Sequence, residues 1–202
     1  MRSGAFIDSS TDCAVSPFLI WDGVDKMFSL RKNKDAVRYA KKKDLEQVNV
    51  LRKQLHDINR TASPDNFPMP FGEKLEQEAT TMLHDKDGIL LVAQQQGEVC
   101  GYLYARCQTE PESLYRLTQR YCAILEICVD KAVRGQGIGT QLFLFLQDEA
   151  AKKGFGHMKL NVWQFNAAAS AFFEKHGFTT YMRCMERKPL PAERDEENVC
   201  RQ

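Results

Sequence analysis

Three glycines at alternate positions, Gly135, Gly137 and Gly139, follow an apolar, β-branched run from Ile124 to Val129 and precede a segment with helical periodicity. Strand, glycine loop and helix together form a geometry in which backbone N–H groups and a helix N-terminus converge on an anion. Glycine lets the backbone come close to a ligand and take φ > 0 at no steric cost. The spacing excludes two common phosphate loops. No Gly-Lys-Ser/Thr follows the first glycine at the gap a Walker loop needs. Counted from Gly137, the third glycine of a dinucleotide fingerprint would fall on Leu142. An ordinary tight strand-to-helix turn stays open as the plain alternative.

The segment does match Arg/Gln-x-x-Gly-x-Gly/Ala, as Arg134-Gly135-Gln136-Gly137-Ile138-Gly139. This resembles the acyl-CoA pyrophosphate loop of the GNAT N-acetyltransferase superfamily. A second block runs from Asn166 through Ala169, Phe172 and Phe173 to Gly177-Phe178. It is similar to that superfamily's Asn-x-x-Ala-x-x-x-Tyr-x-x-x-Gly-Phe helix. The family's tyrosine falls on Phe173, which has no hydroxyl. The resemblance covers residues 35–190 in outline and is specific over 124–178.

The resemblance implies an α+β fold: a mixed, largely antiparallel central sheet flanked by helices, with a splayed strand pair forming an acyl-CoA slot. It also implies an acetyltransferase that moves an acetyl group from acetyl-CoA, a co-substrate, to a primary amine by direct attack in a ternary complex. The backbone N–H groups of Arg134, Gly135, Gln136, Gly137, Ile138, Gly139 and Thr140, with the following helix dipole, suit the pyrophosphate. The pantetheine arm carries amides and can pair like an extra strand along Ile127, Cys128 and Val129. A backbone N–H near Ile127–Cys128 could hold the thioester oxygen as charge develops on it. By residue type Asn166 is a helix N-cap; the resemblance adds a bond from its amide to the pantetheine, with Ala169 and Phe173 on the same cofactor-facing helix.

An amine like that of lysine has a pKa near 10.4, so a base is useful at neutral pH. Glu126, a carboxylate inside a largely apolar strand, is the candidate. A structural ion pair, or a place on the wetter sheet face, accounts for it equally well. The leaving thiolate, with a pKa around 8.5, has no strict need of an acid. Phe173 removes the usual donor, and Tyr115, Tyr121 or a water could replace it. Trp163, Phe165 and Phe172 read as core or slot walls, and His176 as a polar residue at a helix end. Because Phe173 lacks the hydroxyl, a catalytically weak or inactive acyl-CoA-binding regulatory module is the alternative to an enzyme.

Composition narrows the field. The chain has 202 residues, enough for one domain with a proper core, and a formal net charge of +1, which argues against a nucleic-acid partner. The basic stretch from Arg31 to Lys43 is broken by Asp35 and reads as a solvated face. Seven cysteines form no C-x-x-C pair, and Cys100, Cys122 and Cys128 fall inside apolar strand patterns, as small hydrophobes in a reducing compartment. Four scattered histidines give no support for a metal site. The apolar run Phe18 to Trp21 is too short for a signal peptide or a membrane span. A cytoplasmic monomer or homodimer, with acetyl-CoA and an amine acceptor as partners and no nucleic acid or membrane, is the expectation.

These residues must be placed by the following elements. Residues 1–34 show no sustained period and are expected to form a peripheral extension; 35–190 form the domain and 191–202 a disordered tail. A strand is expected at 36–40, then a helix at 45–59 capped by Asp44, with Leu45, Val48, Leu51 (or Arg52), Leu55 and Ile58 on one face. Residues 63–70 form a proline-rich loop. A helix at 73–85 and a hairpin of 89–95 with 98–107 turning at Gln96-Gly97 follow, Gly101 marking a bulge or a close backbone approach. A loop at 108–119, a strand at 120–129, a helix at 138–153, a strand at 157–162, a helix at 166–176 and a last strand or strand pair at 179–188 complete the order.

Overall fold

The computed structural model of the protein describes residues 37–187. The expected extension at 1–34 and tail at 191–202 lie outside them, as do Cys13 and Cys200. Contacts divide the chain between Asn161 and Val162 into two compact units. The first holds β1 (Val37–Tyr39), α1 (Leu45–Ala62), α2 (Glu73–His84), β2 (Gly88–Gln95), β3 (Glu98–Glu110), β4 (Gln119–Val129), α3 (Ile138–Lys152) and β5 (His157–Leu160). The second holds α4 (Ala167–Lys175). The sheet order is β1-β2-β3-β4-β5, antiparallel throughout except for the parallel pair β4 and β5.

The two faces of the sheet follow from strand alternation. On one face Leu90, Val92, Tyr102, Tyr104 and Cys128 pack against Val48 and Leu51 of α1 and Met82 of α2. Leu51 is 1% exposed, so Leu51→Ala is expected to cost about 2–5 kcal/mol. The other face is covered by α3, whose Ile138, Leu142, Phe143, Leu146 and Ala150 are buried. At the Gln96-Gly97 turn both residues have positive φ, +53° and +88°, as a two-residue turn matching the strand twist requires. Gly101 fulfils both expectations at once. The β2–β3 register shifts beside it, between Ala93 and Gln94, and the side chains of Ile138 and Leu142 press against its backbone.

Several boundaries differ from the sequence expectations, each for a physical reason. Asp44 makes no side-chain cap to α1. Its carboxylate turns back to accept the Lys41 N–H at 2.7 Å and both terminal nitrogens of Arg38 at 2.7 and 2.9 Å, a stronger set of donors than a helix end offers. Ile58, expected on the packed face, is 42% exposed; the buried residues of α1, Val48, Leu51 and Arg52, all precede it. Strand pairing extends into the expected 108–119 loop, with Gln108↔Tyr121, Thr109↔Arg120 and Glu110↔Gln119, so the irregular tip is 111–118. β5 ends at Leu160 rather than at 162, and residues 178–187 form no strand. Thr179, Thr180 and Tyr181 have β-forming side chains, but a strand exists only through a partner, and the segment finds none among the described residues.

Candidate active site

The second half of β4 is where the sheet opens. β4 and β5 pair from Tyr121↔His157 to Ile124↔Leu160 and no further. β4 continues through Leu125 to Val129 with its β5-side edge free of a strand partner among the described residues. Ile127, Cys128 and Val129 therefore stand on an unpaired edge that a chain of amides could extend. The Cys128 side chain does not face this edge. It is buried in the cluster beneath α1 and α2, and burial pushes its thiol up to about 11, so it packs as a neutral hydrophobe.

A bulge sets the direction of Glu126. Tyr104 faces Glu126 and Ala105 faces Ile124, so Leu125 is an extra residue in β4 and is 55% exposed. Before the bulge, Cys122 and Ile124 share the α3 face of the sheet with Leu103 and Ala105. After it, Glu126 and Cys128 stand with Tyr104 and Tyr102 on the α1–α2 face. The carboxylate is thereby delivered to the side chains of α1, three-quarters buried. Arg52 Nε donates to its Oε2 at 3.1 Å, Tyr102 donates its hydroxyl to the same oxygen at 2.8 Å, and Arg52 Nη2 reaches Oε1 at 3.3 Å. The ion pair that offered a structural account of Glu126 is thus present. The sequence did signal the bulge, since the packed positions Cys122, Ile124 and Ile127 break the step of two.

Beyond Val129 the chain is held by specific polar contacts. Asp130 accepts the Ala132 N–H at 2.8 Å and the Gln54 side-chain amide at 3.1 Å; these two bonds, in that order, hold its carboxyl below the ordinary value. Arg134 Nε donates back to the Val129 carbonyl at 3.0 Å. Gly135 and Gly137 then take φ of +79° and +82°, and nothing lies within 4 Å of where a Cβ would stand on either. Gly137 is the N-cap of α3 without a side-chain cap, and the first turn of α3 carries no acidic residue. The free N–H groups of Ile138, Gly139 and Thr140 and the positive end of the helix dipole thus open onto exposed Arg134, Gly135, Gln136 and Gly137. Ile138 contributes backbone only, its side chain being buried against the sheet.

A diphosphate with an amide-bearing arm fits this arrangement: an open anion cradle of left-handed glycines, continuous with a strand edge that has no partner among the described residues. Among the described residues no group of three or more His, Cys, Asp or Glu could hold a metal ion, and no helix is long and apolar enough to cross a membrane.

Asn166, Phe173, Trp163 and Phe165 belong to the second compact unit. Asn166 is the N-cap of α4, its side-chain oxygen accepting the Ala169 N–H at 3.1 Å. Phe173 is buried, edge-on to Phe172 and Phe178 at ring-centroid distances of 5.1 and 5.4 Å, with no hydroxyl to offer. Trp163 and Phe165 stack on each other at 5.9 Å and are 45% and 38% exposed, so they are not core residues. Of the two tyrosines proposed as donors, Tyr115 is 93% exposed at the hairpin tip. Tyr121 donates to Glu110 and lies about 17 Å along the strand from Glu126. Sequence reasoning named Arg52 only as an alternative to Leu51 on the packed face of α1 and gave it no part in the site.

A model of the acetyltransferase (GNAT) family matches residues 52–178. No curated protein sequence matches the chain. Among solved structures, a tetramutant of the BH1408 protein from Bacillus halodurans is similar with a TM-score of 0.70 and 22% identity over 76% of this chain and 99% of that one. An aminoglycoside N-acetyltransferase, AAC(6')-Iy in complex with CoA, has a TM-score of 0.59 and 20% identity over 76% of this chain and 93% of that one. A transcriptional regulator from Bacillus halodurans has a TM-score of 0.60 and 23% identity over 75% and 97%. At such identities the likeness is one of fold.

Proposed function

The chain belongs to the acetyltransferase (GNAT) family, and from that premise we propose that it moves an acetyl group from acetyl-CoA to a primary amine. The observation that carries this reading is the continuity of the Gly135–Gly137 cradle with the unpaired edge of β4 on which Glu126 stands. The cradle N–H groups and α3 dipole hold the pyrophosphate. The Ile127–Val129 edge pairs with the pantetheine amides, and a backbone N–H there takes the charge that develops on the thioester oxygen when the amine attacks. That AAC(6')-Iy was solved with CoA supports this choice of donor.

Glu126 accepts the proton of the incoming ammonium, directly or through a water. Its Oε2 already receives two hydrogen bonds, whereas Oε1 receives one long one, so Oε1 is the atom with room for a further donor. Proton donation to the leaving thiolate falls to water, since Phe173 has no hydroxyl, Tyr115 is at the hairpin tip and Tyr121 is engaged far along the strand. A panel of amines with acetyl-CoA in excess, read by free thiol, tests the reaction. Amine-dependent thiol release is expected. Tight acetyl-CoA binding without turnover of any amine would favour the second reading, a regulatory acyl-CoA-binding module, for which Phe173 is the supporting observation.

A further inference from the structure

Arg52 is one of two charged side chains fully buried among the described residues, at 4% exposure. Burying a guanidinium is costly unless every donor is engaged. Here Nε and Nη2 go to Glu126, Nη2 also goes to Glu78 at 2.8 Å, and Nη1 goes to the Leu75 carbonyl. The side chain thereby ties α1, α2 and β4 together at one point. Tyr102 of β3, with 0% exposure, adds the fourth element through its hydroxyl. Burial first, and the Glu126 charge second, push the Tyr102 phenol well above its ordinary value, so it remains a donor.

We infer that Arg52 and Tyr102 are positioning residues for Glu126: together they saturate Oε2, fix the carboxylate plane and leave Oε1 as the oxygen turned to the acceptor amine. The inference rests on the reading of Glu126 as the base. A carboxylate on a strand has rotatable χ angles and would otherwise sample several directions, whereas the arginine fork and the phenol admit one. Lysine cannot reproduce the fork, because it offers a point charge without two parallel donors.

A double-mutant cycle separates this inference from the reading beneath it. Tyr102→Phe and Arg52→Lys are each combined with Glu126→Gln, and kcat, acceptor KM, acetyl-CoA affinity and melting temperature are measured for every variant. Each single change at 52 or 102 is expected to lower kcat by about tenfold or more, with acetyl-CoA affinity unchanged, and to have no further effect once Glu126 is Gln. Equal fold-losses in the two backgrounds would overturn the positioning role while leaving Glu126 as the base. A Glu126→Gln enzyme with undiminished kcat would remove the base itself, and this inference with it. Tyr102→Phe, which deletes one hydroxyl and keeps the packed ring, decides the matter if Arg52→Lys does not fold.

Discussion

Gly101 of β3 and Leu142 of α3 are in contact through backbone and side chain: a Cβ placed on Gly101 would stand 3.2 Å from Leu142 Cδ1 and equally close to Ile138 Cγ2. The first turn of α3 therefore sits on the sheet as closely as a helix can, next to the Val129 end of β4, which pairs with Gly101. That contact sets where the uncapped N-terminus of the helix points. Gly101→Ala must push α3 outward or distort β3, at about 1–3 kcal/mol. Urea unfolding should show this loss, together with weaker acetyl-CoA binding from the displaced loop. A variant as stable as the parent would mean that α3 moves freely on the sheet.

Asp44 gives stability a pH dependence of definite sign. The Arg38 hydrogen bonds hold its carboxyl below the ordinary value, with the Lys41 N–H acting in the same direction. A carboxyl lowered in the folded state contributes fully above its unfolded value, near 4, and loses that contribution as pH falls through the lowered value. Asp44→Asn is expected to cost about 1.5–3 kcal/mol at neutral pH. The difference between variant and parent should shrink in acid, below pH about 4. Thermal melts at a series of pH values test it, and a difference independent of pH would assign the loss to packing instead.

Replacing Glu126 by Gln keeps the shape of the side chain and removes its capacity to accept a proton. Turnover at neutral pH should fall by about 10²–10⁴-fold with acetyl-CoA affinity nearly intact. Part of the rate should return at higher pH, where more of the amine is already neutral. An unchanged rate across the pH range would make the Arg52–Glu126 pair purely structural.

Phe173→Tyr restores a hydroxyl at the family's tyrosine position. If water serves as the donor, as proposed, the change should alter kcat by less than about tenfold, because a thiolate with pKa near 8.5 leaves unaided. Thiol release appearing only in the variant would identify the parent chain as the binding module.

The sequence carried the glycine loop, the strand and helix order and the hairpin turn because each depends on local residue types: Gly135 and Gly137 at positive φ, Gln96-Gly97 at the turn, continuous apolar runs along β2 and β3. What it did not make plain depends on partners distant in sequence. Asp44 looks like a helix cap until Arg38 is seen beside it. The segment 178–187 has strand-forming residues but no strand to pair with among the described residues. Arg52 reads only as an alternative to Leu51 on the packed face of α1, and its meaning appears only when the Leu125 bulge turns Glu126 toward it. The odd step from Ile124 to Ile127 held that information, but nothing local revealed which face each side belonged to.

The central claim is that the loop from Arg134 to Thr140 binds acetyl-CoA. Titration calorimetry of the full chain with acetyl-CoA, beside Gly137→Asp, tests it most directly. Aspartate there would force a side chain onto a backbone at φ +82° and set a negative charge where the pyrophosphate is held. One-to-one binding by the parent chain, weakened at least about tenfold in the variant, is the predicted result. Equal acetyl-CoA affinity in a variant that remains folded would contradict the assignment.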